Sequence, residues 1–520
     1  MCANDLGKNV DFGMTIGSSV KKNVLASWGV HAANMVIGFF LTRFTLDVLG
    51  VSTYGNWLFI NSIASYASLL YCGFGETVSR YVAKYHSDDD QQRMNEVVSL
   101  VTFVFRGLGC IAFVVACGLG LSAHWWGGWE GEMLLQVRLT CLILGLNVAI
   151  SMCGTPYGGV LHGLRRFDIE RGIGFASDLV RLTLFLTLLR AEYGLVIIAG
   201  IFFLVTVGEN AAYVAFAYRL RPTLEIKWKH VRRETLRECG SFSTMSFINT
   251  IASQLINATD TIVIGLMLGK EAIVPYYFGL RLAQFCRQPI DKIAHICLPT
   301  AGAMHSEADR SKRIRFLMRT LSIVVLLITG LYIGAWYFGG DILQLWVGPK
   351  LTPENHLLAH RILMILLGAH LIALPCSILR AFLFGLGIVK VPACIYVVEA
   401  ILNLGLSLVL CTFYGLEGVA WGTAIPIAVI ELGILLPYAI HQLGISWSRL
   451  GREALWPPAV PLGALWLYAY MASQQTWTHN HVLALLCVAF AGGTVLGGTW
   501  WVARQPWDRL RIGTTVGRST

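Results

Sequence analysis

Apolar runs long enough to cross a bilayer recur along the whole chain, and no other feature narrows its fold as much. Leu321–Phe338 and Val482–Val502 are continuous examples. A hydrocarbon core about 30 Å thick takes about 20 apolar residues as a helix, which satisfies its own backbone groups. Charged residues are 13% of the 520 and hydrophobic ones 55%; soluble domains carry about 25% charged residues. A transmembrane barrel would alternate apolar and polar residues in segments of about ten, and these runs do not alternate. The composition therefore predicts an all-α polytopic membrane protein. The 13 cysteines, from Cys72 to Cys487 almost all inside apolar runs, form no CxxC or Cys/His spacing. They read as small lipid-compatible side chains, and no metal or cofactor is expected. Met1–Lys22 has no apolar core, so a cleavable signal peptide is not expected and the first span serves as its own signal.

Fourteen spans are expected, at residues 24–48, 54–80, 96–122, 132–160, 169–190, 194–220, 239–268, 272–300, 316–338, 356–385, 388–413, 415–441, 456–473 and 481–503. Lys and Arg fall in the N-terminal tail, in every second connection and in the C-terminal tail. The alternate connections carry only Arg190, Lys270 and Lys350. That asymmetry places both termini in the cytoplasm. It also accounts for the net charge of +10, with no need for nucleic acid as a partner. The longest link, 221–238, is basic, contains Trp228, and is expected to lie amphipathically on an anionic membrane surface.

The chain repeats itself. Leu49–Gly50 precedes His86-Ser87-Asp88-Asp89-Asp90 at the separation at which Leu268–Gly269 precedes His305-Ser306-Glu307-Ala308-Asp309. Tyr193-Gly194-Leu195 with Ala199 recurs as Tyr414-Gly415-Leu416 with Ala420. Six spans therefore recur in parallel orientation. The expected division is a tail 1–23, an N-lobe 24–220, a linker 221–238, a C-lobe 239–441, two further spans in 442–503 and a basic tail 504–520. Two pseudo-symmetric six-helix lobes of this kind place a substrate between them and work by alternating access.

Polar residues are concentrated where such lobes would face each other. In the eighth span Arg281, Gln284, Gln288, Asp291 and His295 step by three or four residues and share one face. In the seventh, Ser246, Asn249, Ser253, Asn257 and Asp260 do the same. The equivalent first and second spans carry Ser27, His31, Asn34, Gly38 and Thr42, then Asn61, Ser65, Ser68 and Cys72, reaching Glu76 and Ser79. A charged stripe is costly in lipid and points to an aqueous cavity. Interhelical hydrogen bonding is the competing explanation, favoured for the serines alone.

Nine basic side chains fall within spans: Arg43, Arg106, Arg138, Arg181, Arg281, Arg287, Lys292, Arg361 and Arg380. More than half, Arg43 and Arg380 among them, are expected to snorkel to the surface. Arg287 with Asp291, Glu76 with Arg80, and Asp178 with Arg181 stand three or four residues apart and can pair. Arg281 has no acid at those spacings, and its equivalent in the first repeat is Ser62. An unpaired guanidinium facing a cavity suits an anion and fits phosphate oxygens. Asp260 is its candidate counter-ion or a cation-coupling carboxylate. No Walker A, GxSxG or HExxH sequence occurs, so no enzyme activity is expected. His356 and His360, four apart, read as interfacial polar residues rather than a metal pair.

Leu49-Gly50-Val51-Ser52-Thr53-Tyr54-Gly55, Gly73-Phe74-Gly75-Glu76 leading to Arg80-Tyr81-Val82-Ala83, Gly163-Leu164-Arg165-Arg166-Phe167 and Asp260 together carry a resemblance. Over about residues 20–440 the chain resembles the polysaccharide-transporter (Wzx-type oligosaccharide flippase) branch of the multidrug/oligosaccharidyl-lipid/polysaccharide exporter superfamily. The resemblance implies movement of an undecaprenyl-pyrophosphate-linked oligosaccharide across a bacterial inner membrane, through a cationic cavity and without ATP. The substrate-binding candidates are then Arg281, Gln284, Gln288, Asn249, Arg138 and Arg181. Asp260, Asp291 and Glu76 are the ion-coupling or counter-ion candidates, and His31, Asn34, Asn61, Ser65 and Ser68 line the cavity. Expected partners are the lipid-linked glycan, membrane lipids and a glycan polymerase, the protein itself being a monomer. A cation-coupled multidrug antiporter of the same superfamily is the alternative. A glycan polymerase or ligase would want a longer outer loop with Arg or His than 339–355, which holds only Lys350.

Overall fold

The computed structural model describes residues 18–71, 74–303, 310–475 and 482–516, and the described residues contain helices and no strand. In chain order they are α1 (Ser18–Ser65), α2 (Phe74–Ser87), α3 (Gln91–Leu121), α4 (Ala123–Gly127), α5 (Gly131–Gly163), α6 (Phe167–Leu188) and α7 (Gly194–Leu220). There follow α8 (Arg233–Met267), α9 (Ile273–Ala303), α10 (Arg310–Val347), α11 (Pro353–Gly385), α12 (Lys390–Ile430), α13 (Leu436–Leu443), α14 (Trp447–Leu450), α15 (Ala459–Ser473) and α16 (Val482–Val516).

Eight described segments are long and apolar enough to cross a membrane. Two of them, Ala33–Tyr71 and Lys390–Leu443, cover 39 and 54 residues. Straight helices of that length would run about 58 and 81 Å at 1.5 Å per residue, well beyond one bilayer. Each contains a glycine that ends one helix and starts the next: Gly50 with φ 72° and Gly415 with φ 58°. Only glycine takes positive φ without steric cost. Beyond Gly415 the chain returns along itself. A Cβ on Gly418 would strike the Leu410 carbonyl, and one on Gly422 would strike Ser407.

The second span departs from the continuous helix expected over 54–80. α1 ends at Ser65, a 3-10 segment occupies Tyr66–Tyr71, and α2 begins at Phe74. The break falls where side chains bond away from the helix. Ser62 Oγ donates to the Ala258 carbonyl at 2.9 Å, and the Tyr66 hydroxyl meets that of Thr259.

The link between α7 and α8 is an extended strap with one 3-10 turn, Trp228–His230, and α8 begins at Arg233, within the span expected for the link. Buried polar groups of α3 hold it. Asn95 Oδ1 accepts from the Glu225 N–H at 3.2 Å, and Ser99 Oγ accepts from the Lys227 N–H at 3.2 Å. The buried Glu96 pairs with Arg232 at 3.2 Å. Trp228 is exposed and lies edge-on to Phe103.

Packing separates the helices into two groups. α2, α3, α5, α6 and α7 pack on one another, as do α8 through α13. α1 lies between the groups, touching α6 and α7 on one side and α8 and α9 on the other. α15 and α16 pair together and rest on α10.

Candidate functional site

The junction between the two groups is closed at the end of the bundle that carries Gly50 and Lys270. The Lys270 ammonium donates to the Gly127 carbonyl and stands 4.3 Å from the centre of the Trp129 ring. Trp129 Nε1 donates to Asn56 Oδ1 at 2.8 Å. Gly55 is pressed against the backbone of Lys270, where a Cβ has no room. Arg43 of α1 donates to the Leu345 carbonyl of α10. Trp346 Nε1 donates to the Phe39 carbonyl at 2.8 Å, its ring stacked on Phe39 at 4.2 Å. Aromatic faces, a cation over indole and side-chain-to-backbone hydrogen bonds thus close one end.

Below this closure lies Arg281. Eight residues into α9, at a depth of about 12 Å, its guanidinium points at α1. A Cβ on Gly38 would sit 3.5 Å from Arg281 Nη2, and the charge lies 4.8 Å from the centre of the Phe285 ring. Arg281 Nη1 donates to Gln284 Oε1 at 3.3 Å, and Nε is buried with no partner. Among the described residues no carboxylate pairs with it. Nearby on α1, Asn34 Oδ1 is also buried and unpartnered. Gln288 continues the face, half-buried. A guanidinium without a carboxylate partner has the charge and the donor geometry to hold an anion.

The serines of the second span do something more specific than line a cavity. Gln254 Nε2 donates to Ser65 Oγ at 2.6 Å, and Ser68 Oγ donates to Gln254 Oε1 at 3.3 Å. With Ser62 and Tyr66, they stitch α1 and its 3-10 extension to α8. This is the interhelical bonding that competed with the cavity explanation. Gln254 lies off the expected face of α8 and was not legible as a site residue. Asn61 is exposed. The side chains of His31, Glu76 and Asn249 lie outside the described residues.

Asp260 is not the counter-ion of Arg281. It is buried within the second group of helices, where three hydroxyls donate to it: Tyr276 at 2.6 Å, Thr423 at 3.0 Å and Ser407 at 3.5 Å. Asn403 Nδ2 donates to Thr423 Oγ1 at 2.9 Å, and Asn403 Oδ1 is left without a partner. The cluster joins α8, α9 and both arms of α12. Its donors stand far from Asp260 in sequence, so no local spacing signals them.

The other charged candidates separate. Asp291 pairs with Arg287 at 2.8 Å, as the spacing predicted. Arg181 pairs with Asp178 at 2.6 Å and stacks over Phe202 at 5.2 Å, away from Arg281. Arg138 is exposed on α5. Arg380 does not snorkel: its side chain is 16% exposed and pairs with two buried glutamates, Glu399 at 3.7 Å and Glu431 more closely. His356 and His360 bond separate carbonyls, those of Gly348 and Ala335. α9, α10, α15 and α16 also enclose an apolar cavity of about 300 Å3, lined by Leu282, Gly334, Phe338, Tyr468, Val488 and Gly492 among others.

Family models and solved structures match this chain in part of its sequence and in its fold. The family described as "Polysaccharide biosynthesis protein" matches residues 20–290, and the family MatE matches residues 246–409. A probable low-salt glycan biosynthesis flippase, Agl15 of Haloferax volcanii, is 21% identical over 241 residues. That match covers 45% of this chain and half the length of the relative. Among solved structures, the lipid II flippase MurJ in an inward closed conformation superposes with a TM-score of 0.71 at 15% identity, covering 94% of this chain and 100% of the other. A multidrug resistance MATE family transporter, facing inward, gives 0.66 at 16% identity, covering 81% and 96%. An outward-facing MATE structure gives 0.57 at 16% identity, covering 81% and 94%. The extent of the family match and the shared fold place this multi-pass membrane protein in the polysaccharide biosynthesis protein family, within the multidrug/oligosaccharidyl-lipid/polysaccharide exporter superfamily.

Proposed function

We propose that this protein is a non-enzymatic flippase that moves an undecaprenyl-pyrophosphate-linked oligosaccharide across the bacterial cytoplasmic membrane by alternating access. The observation that carries the reading is Arg281, a cation with no acidic partner among the described residues, set where the two helix groups meet. Its planar fork binds the pyrophosphate, while the Gln284 and Gln288 amides and Asn34 hold sugar hydroxyls. Asn249, Arg138 and Arg181 are secondary contacts reached as the lobes move. The cytoplasm lies opposite the Lys270 closure, following the Lys and Arg bias of the connections. The lobes, 24–220 and 239–441, are then closed outward, and the headgroup enters from within while its prenyl chain stays in lipid. The apolar cavity beside α15 and α16 is available to part of that chain.

Asp260 is the ion-coupling carboxylate in this scheme. A carboxylate ringed by two threonine or serine hydroxyls, a phenol and a nearby amide offers oxygen ligands suited to a hard monovalent cation or a proton site. The names of Agl15 and MurJ support glycan-lipid movement, and a monomer beside a glycan polymerase is the expected setting. The MatE match over 246–409, which includes Asp260, favours the second reading, a cation-coupled multidrug antiporter. Complementation separates them. Arg281→Ala should abolish surface-glycan display in a deletion strain while the protein still reaches the membrane, and Arg281→Lys should restore it only partly. Full complementation by the alanine variant would falsify the anion site.

A further inference from the structure

Two glutamates and one arginine occupy the interior of the second helix group, with Glu399 one turn before Asn403 of the Asp260 cluster on α12. Glu399 on α12 and Glu431 on the turn after it have side chains 5% and 2% exposed. Both reach Arg380 of α11, whose guanidinium also lies 4.8 Å from the centre of the Tyr396 ring. The two carboxyl groups converge on the same nitrogen of Arg380, Nη2, Glu399 through Oε2 and Glu431 through Oε1. Yet Oε2 of Glu399, Oε2 of Glu431 and Nε of Arg380 are all buried without a hydrogen-bond partner. Two carboxyl groups therefore share one guanidinium nitrogen, and each keeps a buried oxygen that no hydrogen bond satisfies.

The surroundings do not balance the charge. Arg287 is near enough to act on Glu399, but Asp291 already neutralises it. Cys376 and Tyr396 are uncharged neighbours, His370 faces Arg287, and Lys292 of α9 is exposed. Arg380 alone is left against two carboxylates. A buried net negative charge is costly unless a cation or proton offsets it. Glu431 also opens a π-helical turn, Glu431–Leu435. Pro437 follows it and has no N–H to offer the Gly433 carbonyl, so the regular helix cannot continue through this point. Wider turns of this kind are often placed at functional positions.

We propose that Glu399 and Glu431 form a proton-binding site in which one proton, taken from water, is shared between the two carboxyl groups above Arg380. The proton's O–H bond forms on one carboxyl and donates to the other, leaving one negative charge matched by the guanidinium. Loss of that proton leaves an unmatched charge beside the Arg287–Asp291 pair on α9, the helix that carries Arg281. The site's use as a driving ion rests on the transporter reading above; its occupancy by a proton does not.

The test is an infrared pH titration of the full-length protein reconstituted in lipid, following the protonated-carboxyl band. The wild type should show a band worth one proton per chain that both Glu399→Gln and Glu431→Gln lose, because the remaining glutamate is matched by Arg380. A band that persists in both variants, or that vanishes only in Asp260→Asn, overturns the proposal. Should a glutamine variant not fold, Glu431→Asp keeps the acid and must shift the band; an unshifted band counts against the site. Since no flipping is measured, glycan transport that fails while the band behaves as expected sinks the flippase reading and leaves this one standing.

Discussion

Arg281 has room for its guanidinium because residue 38 carries no side chain. A methyl group there would make ordinary contact at 3.5 Å from Nη2, whereas a branched side chain would occupy the same space. Gly38→Ala should therefore leave glycan display intact, and Gly38→Leu should depress it as severely as loss of Arg281. Equal activity of the two would show that the guanidinium does not work in this position. Asp260→Asn keeps the shape of its cluster and removes its charge. Ion-driven transport in vesicles should fall by about tenfold or more, a loss of ~1.4 kcal/mol or greater, while the protein's abundance holds. Much of Arg281 was readable in the sequence, because pairing along one helix depends only on i±3 and i±4 spacing. Asp260 was readable as a carboxylate on a polar helix face with two roles open, counter-ion or ion coupling, but its partners were not readable. Its hydroxyl donors Ser407 and Thr423 lie 147 and 163 residues away, on another element. Arg380 was misread for a related reason. Its position near the end of α11 suggests snorkelling, and only the arrival of Glu399 and Glu431 from α12 and the turn beyond it keeps it inside.

At the scale of the element, the strap between α7 and α8 depends on three polar side chains facing inward from α3. Asn95→Leu would strand the Glu225 N–H and leave the Thr223 carbonyl with Gln91 as its remaining side-chain donor. A lost hydrogen bond costs about 0.5–1.5 kcal/mol, so thermal unfolding of the purified protein should begin at lower temperature. An unchanged unfolding temperature would mean that the strap is held mainly by its apolar contacts. The helices themselves were legible as long apolar runs, and the reversals near Gly50 and Gly415 were legible as spans too closely spaced for loops. The break at Tyr66–Tyr71 was not. It arises from hydrogen bonds to Ala258 and Thr259, which a one-dimensional pattern does not record.

For the whole molecule, alternating access requires the two helix groups to separate at the end now closed. Ser62 of α1 and Ala258 of α8 meet about 18 Å along their helices from that end, joined by a 2.9 Å hydrogen bond. In a cysteine-free background, Ser62→Cys with Ala258→Cys should cross-link on oxidation and stop glycan display, with recovery on reduction. Continued display with the bond formed would exclude a separation at this place. The central claim, that the chain carries a pyrophosphate-linked glycan across a bilayer on Arg281, is tested most directly in proteoliposomes. Undecaprenyl-pyrophosphate-linked oligosaccharide is loaded in the inner leaflet, and its exposure to an external glycan-cleaving reagent is timed. Wild-type vesicles should expose the glycan faster than protein-free vesicles, and Arg281→Ala vesicles should match the protein-free ones. Wild type no faster than bare lipid, or an alanine variant as fast as wild type, would contradict the account.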